Sequence, residues 1–426
     1  MAVVKPFRAL RYTPAAGEIR DLTCPPYDII SEEQRQAFLK QNPYNMIRLE
    51  LPKGDDPYRE AGETLKKWEQ EGILKQDPAP ALYIYEEEFT AYGERKKFKG
   101  FICRVKAEEF SKGVVLPHEE TLSKAKEDRF NLMKATFCNF SQVYSLYMDP
   151  EHKTLGRIDL LSSGTPRIEF DDGEVIHRLW IVEDPVAIQA ICDDFNDRKL
   201  YIADGHHRYE TALNFRNWCR EQGLAKEGDD PDYLMMMLVD MEHDGLVVFP
   251  THRLVRDLAD FDEQKLLDGC REYFDLTEKD HIGSMEADLD ALYQEGKKAF
   301  GYYSGGDKWW LMVLKDLSVM KDVLPGKSEA SQGLDVSVLH NLVLERIFGI
   351  DKENMAKQVN LTYTRSFDEA VESVKSGKSQ CAFILNPTRV TEIRDVAAAG
   401  EKMPQKSTYF YPKLITGLVM NQMDHE

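Results

Sequence analysis

The amino-acid sequence predicts an α+β (mixed α/β) fold, and three observations carry that prediction. β-rich runs at residues 81–85 and 98–105 flank a polar turn, which is the pattern of a hairpin. A compact apolar run at residues 199–203 is followed at once by a glycine and a helix-forming segment that continues to residue 220. Beyond residue 253, strand-like and helix-like segments alternate. Both kinds of element are therefore expected along the whole chain.

The first part of the chain, residues 1–170, is expected to form an N-terminal α+β segment. Ser31 and Gln34 have the spacing of a capping box, so a helix is predicted to begin there. Residues 58–72 have helical spacing and end on a glycine that suits a C-terminal cap. Residues 116–136 are predicted to form a dense polar loop that leads into a helix.

The remaining chain divides into a middle segment, residues 171–255, and a C-terminal α+β domain, residues 256–426, whose tail is expected to return to the functional site. Residues 298–303 and 308–314 are predicted to pair as a hairpin across a glycine-containing turn. A helix is predicted over residues 336–348. No internal repeat or low-complexity linker marks the boundaries, so three segments are a working division.

Charge and hydropathy exclude two classes of partner. The 426 residues contain 74 acidic and 55 basic side chains, a formal net charge of −19, which argues against general attraction to nucleic acid phosphates. The longest apolar run, residues 234–239, is far shorter than the roughly 18 residues that span a membrane. No secretory signal is seen at the N-terminus, so the chain is expected to be cytoplasmic, with no membrane partner.

The number and spacing of the cysteines give no indication of a zinc ribbon or a disulfide framework. The seven cysteines are odd in number, scattered, and never spaced as C-x-x-C. Reduced and mostly buried thiols are therefore expected.

The sharpest chemical signal is the pentapeptide Asp204-Gly205-His206-His207-Arg208 at the predicted strand–helix junction. Gly205 permits a tight turn, and the free amides at the start of a helix attract phosphate. Arg208 can donate two hydrogen bonds to phosphate, and the histidines can donate or shuttle protons. Asp204 suits a magnesium ligand or a helix cap. The alternative is a purely structural turn, in which the histidines cap the helix or fill space in the interior and the arginine is an ordinary surface cation.

Residues 202–213 resemble the core motif of the ParB/sulfiredoxin-like superfamily, and specifically a large bacterial and archaeal family of unknown function that bears the signature ADGHHRYETAL. His206 stands where sulfiredoxin has a cysteine, which puts a sulfinic-acid reductase activity in doubt, and no ParB-type DNA-binding helix-turn-helix is found. Blocks that look like recurring blocks of the same family extend over nearly the whole chain, at residues 5–11, 25–28, 118–119, 126–129, 250–253, 334–340 and 403–413.

Within that superfamily, the ADP-dependent free-serine kinase SerK has a D-G-H-H-R motif that resembles Asp204–Arg208, over roughly residues 175–214. The resemblance implies a nucleotide-dependent phosphotransferase that acts on a small hydroxyl metabolite, with free serine as the named candidate. ADP or ATP would be the phosphate donor, and magnesium the expected cofactor, with Asp204 as its ligand.

Phosphoryl transfer also needs a carboxylate that orients or deprotonates the attacking hydroxyl. Glu119 is the first candidate and Glu174 the second, while Asp204, His206 and His207 complete the expected catalytic set.

Further phosphate- or nucleotide-binding candidates are cations and hydroxyls that stand in polar clusters of the sequence. On the alternative interpretation, these side chains pair with neighbouring acids, satisfy carbonyls, or belong to an ordinary terminal strand. Besides Gly205 and Arg208, the candidates are His118, Lys124, Lys126, Arg129, His252, Arg253, Lys406 and Ser407.

Two other functions stay open on the sequence alone. The protein could be a non-catalytic regulator that binds a nucleotide or phosphometabolite, or it could hydrolyse phosphoserine in the same pocket. The expected partners are a small-molecule substrate and a nucleotide, while the oligomeric state is left open.

Overall fold

A computed structural model describes residues 1–424 and confirms the mixed α+β class. The chain forms two compact units. Unit 1 comprises Met1–Pro117, Thr121–Val247 and Pro412–Glu426, and unit 2 comprises His118–Glu120 and Val248–Tyr411. The division into three segments stays a prediction, because compactness does not say which parts fold independently.

Unit 1 is built on a mixed nine-stranded sheet. Two of its strand pairs are parallel and the others are antiparallel. In spatial order the strands are Val115–Leu116, Leu200–Asp204, Val143–Tyr147, Tyr233–Asp240, Glu94–Lys106, Leu82–Ala91, Val175–Val182 and Ile168–Asp171, and Val4–Lys5 also pairs with Glu94–Lys106. Two small antiparallel sheets join Leu10–Tyr12 to Leu74–Gln76 and Cys138–Asn139 to Asn421–Gln422.

The helices of unit 1 pack apolar side chains such as Ile191, Ala212 and Trp68 into buried clusters. These α-helices are Glu32–Gln41, Ile47–Glu50, Pro57–Gln70, Ser123–Thr136, Lys153–Leu161, Pro185–Asp193 and His206–Glu221. The predicted capping box is confirmed, since the Gln34 amide donates to Ser31 Oγ and the Ser31 amide donates to Gln34 Oε1.

The predicted hairpin of unit 1 is also confirmed, between Leu82–Ala91 and Glu94–Lys106. Its two turn residues, Tyr92 and Gly93, have φ values of 52° and 75°. Positive φ at both positions matches the right-handed twist of the flanking strands.

Unit 2 contains a six-stranded sheet in which every pair is antiparallel. Its order is Phe274–Asp280, Lys308–Leu314, Ala299–Tyr303, Cys381–Ile384, His252–Val255 and Leu361–Thr364. Buried residues such as Phe300, Met312 and Phe383 form its core. Its α-helices are Glu263–Cys270, Met285–Gln294, Val319–Val323, Glu329–Gln332, Asp335–Val338, Lys352–Lys357, Phe367–Lys375 and Val390–Ala398. No helix within residues 1–424 is long and apolar enough to cross a membrane.

The helix predicted over residues 336–348 differs in kind from what the structure contains. A short α-helix, Asp335–Val338, runs directly into a π-helix, Leu339–Glu345. The apolar side chains of Leu342 and Val343 are fully buried. The spacing of apolar residues predicts a helix but does not distinguish the α from the π hydrogen-bond pattern, because a π-helix also presents a buried apolar face. π-helical turns are uncommon and often occur at functional sites.

A buried polar cluster lies on two neighbouring strands of unit 1. Tyr85 donates to Glu87 Oε1 at 2.7 Å, and its hydroxyl lies 2.6 Å from His177 Nδ1. Asp172 Oδ2 lies 2.9 Å from His177 Nε2. Glu87 is fully buried, and its Oε2 atom has no hydrogen-bond partner among the described residues. Burial and, to a smaller extent, the charge of Asp172 raise the pKa of Glu87 to about 8, while the hydrogen bond from Tyr85 opposes that shift.

Replacing Glu87 by glutamine is expected to flatten the dependence of stability on pH. The pKa of Glu87 is raised on folding, so the folded state keeps a proton that the unfolded state loses, and stability falls as pH rises from about 4.5 to about 8. The loss is on the order of a few kcal/mol. Thermal unfolding between pH 5 and 8 measures it, with Glu94→Gln as the exposed control on the same hairpin. A slope identical in wild type and Glu87→Gln would contradict the assignment.

Candidate functional site

The predicted strand, turn and helix around residue 205 are confirmed. The strand Leu200–Asp204 ends at Gly205, whose φ is 91°, and the helix His206–Glu221 follows. A Cβ atom at Gly205 would lie 3.0 Å from Arg208 Nε, so a larger residue would meet both strain and crowding. The N-cap residue is Gly205, which has no side chain that could cap this helix.

Two cations neutralise Asp204. Lys413 Nζ lies 3.3 Å from Asp204 Oδ1, and Arg208 Nη2 lies 3.5 Å from Oδ2. Burial opposes ionisation of Asp204, but Lys413 and Arg208 outweigh it and lower the pKa of the carboxyl. Arg208 also donates from Nη1 to the carbonyl of Gln142. Because the acid is compensated, it does not prevent a second anion from approaching Arg208.

A small cavity of about 40 Å³ in unit 1 is lined by Arg208 together with Glu50, Arg129 and Ser141. Glu50 is 1% exposed, and its Oε1 accepts a hydrogen bond of 2.9 Å from Ser141 Oγ. Burial raises the pKa of Glu50, while Arg129, Arg208 and the hydrogen bond from Ser141 oppose that shift. The cavity thus holds an acid that gains a proton more readily than an exposed glutamate does.

Arg129 is fixed in place from several sides. Its Nη1 donates to the main-chain carbonyl of Glu50 at 2.6 Å, and its Nη2 pairs with Asp128 at 2.6 Å. The guanidinium lies 4.2 Å from the centre of the Tyr27 ring, a cation–π contact. Burial raises the pKa of the Tyr27 hydroxyl, so this tyrosine stays neutral. Arg129 was predicted as a phosphate ligand, and unit 1 brings it to the same cavity as Arg208.

Other predicted residues of unit 1 have protein partners. His207 Nε2 accepts a hydrogen bond of 2.9 Å from the Leu122 amide, and His206 is buried. Lys126 Nζ pairs with Glu210 Oε2 at 2.7 Å, whereas Lys124 is exposed. The roles assigned to these four residues stay predictions.

Two predicted residues lie together in unit 2. His118 is fully buried, and its Nε2 atom is 3.0 Å from Thr408 Oγ1. Thr408 donates to Glu119 Oε1 at 3.3 Å. The catalytic role of Glu119 stays a prediction, and the other carboxylate candidate, Glu174, lies on an exposed loop of unit 1.

The remaining predicted residues of unit 2 surround a buried arginine. Arg253 donates to the carbonyls of Gln405 and Lys406 at 3.3 and 3.1 Å. His252 Nδ1 accepts from the Leu385 amide, and burial, followed by the charge of Arg253, lowers the pKa of His252 to about 3. His252 therefore cannot carry a positive charge to phosphate near neutral pH.

At the end of that segment, the Ser407 hydroxyl donates to the carbonyl of Pro404. The Lys406 side chain is exposed. The phosphate-binding roles of both residues stay predictions.

Glu50 is a residue of the candidate site that the sequence did not predict. The signal in the sequence was a single acid between Leu49 and Leu51. A carboxylate flanked by apolar residues can be buried with them, and a buried carboxylate usually has a specific partner. Its partners Arg129 and Ser141 are 79 and 91 residues away along the chain. Spacing along the sequence could not reveal them.

The structure gives limited support to a metal site. Within residues 1–424, no group of three or more His, Cys, Asp or Glu side chains could hold a metal ion. Magnesium needs less than such a group, since one carboxylate and the phosphates of a nucleotide suffice. Asp204 fits that arrangement as a single protein ligand, although Lys413 and Arg208 already pair with it.

Comparison with known proteins gives the family and little beyond it. No curated protein matches the chain. Among solved structures, a variant of free serine kinase in complex with AMP is 13% identical, with a TM-score of 0.37, over 73% of this chain and 89% of that one. Another variant, in complex with ADP, gives the same figures. A conserved hypothetical protein from Pyrococcus furiosus is 16% identical, with a TM-score of 0.33, over 70% of this chain and 87% of that one.

TM-scores this low establish neither a shared fold nor a shared activity. The resemblance to the ParB/sulfiredoxin-like superfamily likewise stays a prediction. The family model that matches covers residues 4–337, most of the chain. The protein therefore belongs to the protein family of unknown function DUF1015.

Proposed function

We propose that this protein is a nucleotide-dependent phosphotransferase that acts on a small hydroxyl metabolite, with free serine as the first acceptor to test. One observation carries the proposal. A buried glutamate, Glu50, shares a small cavity with two arginines, Arg129 and Arg208, and Arg208 belongs to the motif that turns from strand to helix at Gly205.

The cations of this site suit the charge of a nucleotide. Phosphoryl transfer depends mainly on positioning and on neutralising the charge of the transferred group. Arg208 and Lys413 together exceed the charge of Asp204 by one, and Arg129, which also pairs with Asp128, brings a further guanidinium to the cavity. Arg208 keeps its Nη2 atom on a long contact to Asp204, so a phosphate oxygen can replace that partner.

Glu50 is the proposed general base. A carboxyl whose pKa is raised by burial accepts a proton near neutral pH more readily than an exposed one. The substrate hydroxyl would give its proton to Glu50, and its oxygen would form a new bond to phosphorus as the bond to the nucleotide breaks. The products are the phosphorylated metabolite and the nucleotide shortened by one phosphate. Glu119, predicted from the sequence, stays a second candidate.

The size of the cavity limits what enters it. A volume of about 40 Å³ holds a few water molecules or a hydroxymethyl group and excludes a nucleoside. The nucleoside part must therefore lie outside the cavity. A small acceptor such as serine fits this limit better than a bulky alcohol.

A magnesium ion that arrives with the nucleotide would be held by Asp204 and the phosphates. It would supply further neutralisation of phosphate charge. Asp204 is ionised for that role, because Lys413 and Arg208 lower its pKa.

The test is to incubate the purified full chain with ADP or ATP, magnesium and serine, and to follow phosphoserine by phosphorus NMR. Phosphoserine is expected with serine and not with alanine, which has no hydroxyl. If neither ADP nor ATP gave phosphoserine, serine would be ruled out as the acceptor. Release of phosphate from phosphoserine in water would identify a hydrolase, and calorimetric nucleotide binding without consumption would identify a sensor.

A further inference from the structure

Unit 2 contains a larger cavity that uses none of the residues of the proposed catalytic site. We call it the unit 2 cavity. Its volume is about 340 Å³, within the range of small-molecule pockets. Apolar atoms of Leu324, Met355, Met403 and Pro404 form part of its wall, and polar side chains form the rest. A cavity of this mixed character can hold a small ligand that has one apolar and one charged end.

His340 lines this cavity, and a hydrogen bond from Arg253 determines which of its two ring nitrogens carries the hydrogen. Arginine can only donate, and Arg253 Nε donates to His340 Nε2 at 3.2 Å. The other ring nitrogen, Nδ1, must therefore carry the hydrogen when the ring is neutral. His340 is 6% exposed, and no residue in the described part of the chain accepts a hydrogen bond from Nδ1. His340 thus offers an N–H donor with no protein acceptor.

Arg253 places a buried positive charge behind His340. It is 1% exposed and lies 5.3 Å from the centre of the Tyr363 ring. Its hydrogen bonds go to His340 and to main-chain carbonyls, and none of the carboxylates described in residues 1–424 forms an ion pair with it. An uncompensated buried cation is costly and favours an anion nearby.

Lysines add to this charge at the cavity wall. Lys327 and Lys352 line the cavity, and neither is ion-paired with a carboxylate of the described chain. Lys402 also lines it, but it is paired with Glu120 at 3.4 Å. One further acid, Glu345, is present in the wall. The charge of Lys327 also acts on Glu401, which does not line the cavity. Three lysines and Arg253 still outweigh Glu120, Glu345 and Glu401, so the cavity favours an anion.

The wall that contains His340 is the π-helix Leu339–Glu345. Asn341 Nδ2 donates to the Ser337 carbonyl at 2.7 Å. Its Oδ1 atom and the Ser337 hydroxyl have no described partner, and both residues line the cavity. The α-helix Asp335–Val338 supplies the Ser337 hydroxyl, and the π-helix that follows it supplies the histidine and the amide, so one wall presents three polar groups to a ligand.

We propose that the unit 2 cavity binds a small metabolite with a carboxylate or phosphate group, held by Lys327, Lys352 and the Nδ1–H of His340, with its apolar part against Met355 and Met403. Binding here is a second ligand function, in addition to the phosphotransfer proposed for unit 1. It stands or fails independently, because no residue is shared.

Methionine methyl NMR on the full chain, labelled with [methyl-13C]methionine, tests this proposal directly. Inorganic phosphate and succinate are the two probes, titrated separately. For each probe, the chemical shifts of the Met355 and Met403 methyl groups are followed during the titration. These resonances are assigned through Met→Leu variants. Met133 and Met235 line the small cavity of unit 1, so the same spectrum reports separately on that site. A saturable shift at Met355 and Met403 with at least one probe is expected.

The double variant Lys327→Gln/Lys352→Gln is expected to weaken that binding about tenfold or more. Its matched control is Lys375→Gln/Lys378→Gln, which removes the same charge from exposed lysines of unit 2 that do not line the cavity. No shift with either probe would overturn the proposal. Shifts confined to Met133 and Met235, or equal affinity in both double variants, would overturn it as well.

Discussion

Alanine in place of Arg208 is expected to weaken nucleotide binding by about 10- to 100-fold and to remove phosphotransfer. A hydrogen bond from a charged donor is worth about 1.5–3 kcal/mol, which is a factor of that size in affinity. Arg208 reaches both Asp204 and the cavity of Glu50, so its loss removes charge at the turn and at the acceptor site together. Calorimetry with ADP and magnesium measures the affinity.

Two variants separate charge from geometry. Arg208→Lys keeps a charge but loses the planar pair of donors, and it is expected to recover part of the affinity. Arg20→Ala removes an exposed arginine of unit 1 that is 61% exposed, and it is expected to bind as wild type does. Thermal unfolding shows whether the lost hydrogen bond to Gln142 destabilises the chain. Unchanged affinity in a folded Arg208→Ala protein would contradict a phosphate site at this turn.

Glutamine in place of Glu50 is expected to lower turnover by about 10²- to 10⁴-fold while nucleotide affinity stays close to that of wild type. Glutamine keeps the shape and accepts the hydrogen bond from Ser141, but it cannot take a proton. The catalytic rate constant and the nucleotide dissociation constant, measured on the same preparation, separate the two effects.

Stability provides a second measurement on Glu50→Gln. Burial raises the pKa of Glu50 above its unfolded value, so the wild type loses stability as pH rises through the range above about 4.5. The variant lacks this loss, and its melting temperature is expected to depend less on pH.

Glu119→Gln is the matched substitution in unit 2. Full turnover in Glu50→Gln together with loss of turnover in Glu119→Gln would assign the base to Glu119, as the sequence predicted.

The local elements could be predicted from the sequence because their causes are local. The capping box depends on Ser31 and Gln34, three residues apart, and the turn before the helix depends on Gly205 alone. The hairpin likewise follows from two adjacent β-rich runs. Sequence spacing describes such contacts fully, since all partners lie within one or two elements.

The candidate site could be predicted only in part, because its partners are far apart in the chain. Arg208 could be identified from its sequence motif. Glu50 could be identified only from the folded structure, in which it lies beside Arg129. The π-helix Leu339–Glu345 and the cavity that it lines were not predicted, since a helical pattern carries no information about which ladder forms. Compensation of Asp204 by Lys413, 209 residues later, also needs the tertiary structure.

Unit 1 is discontinuous in sequence, and this has a consequence for synthesis on the ribosome. Its last segment, Pro412–Glu426, supplies Lys413 to Asp204 and the strand Asn421–Gln422 to Cys138–Asn139. Domains generally fold as they emerge, from the N-terminus onward. Here the first unit to emerge must wait, incomplete, until all of unit 2 has been translated. A nascent chain released before residue 412 would carry a finished second unit and an unfinished first one, and chaperones would be expected to hold the latter.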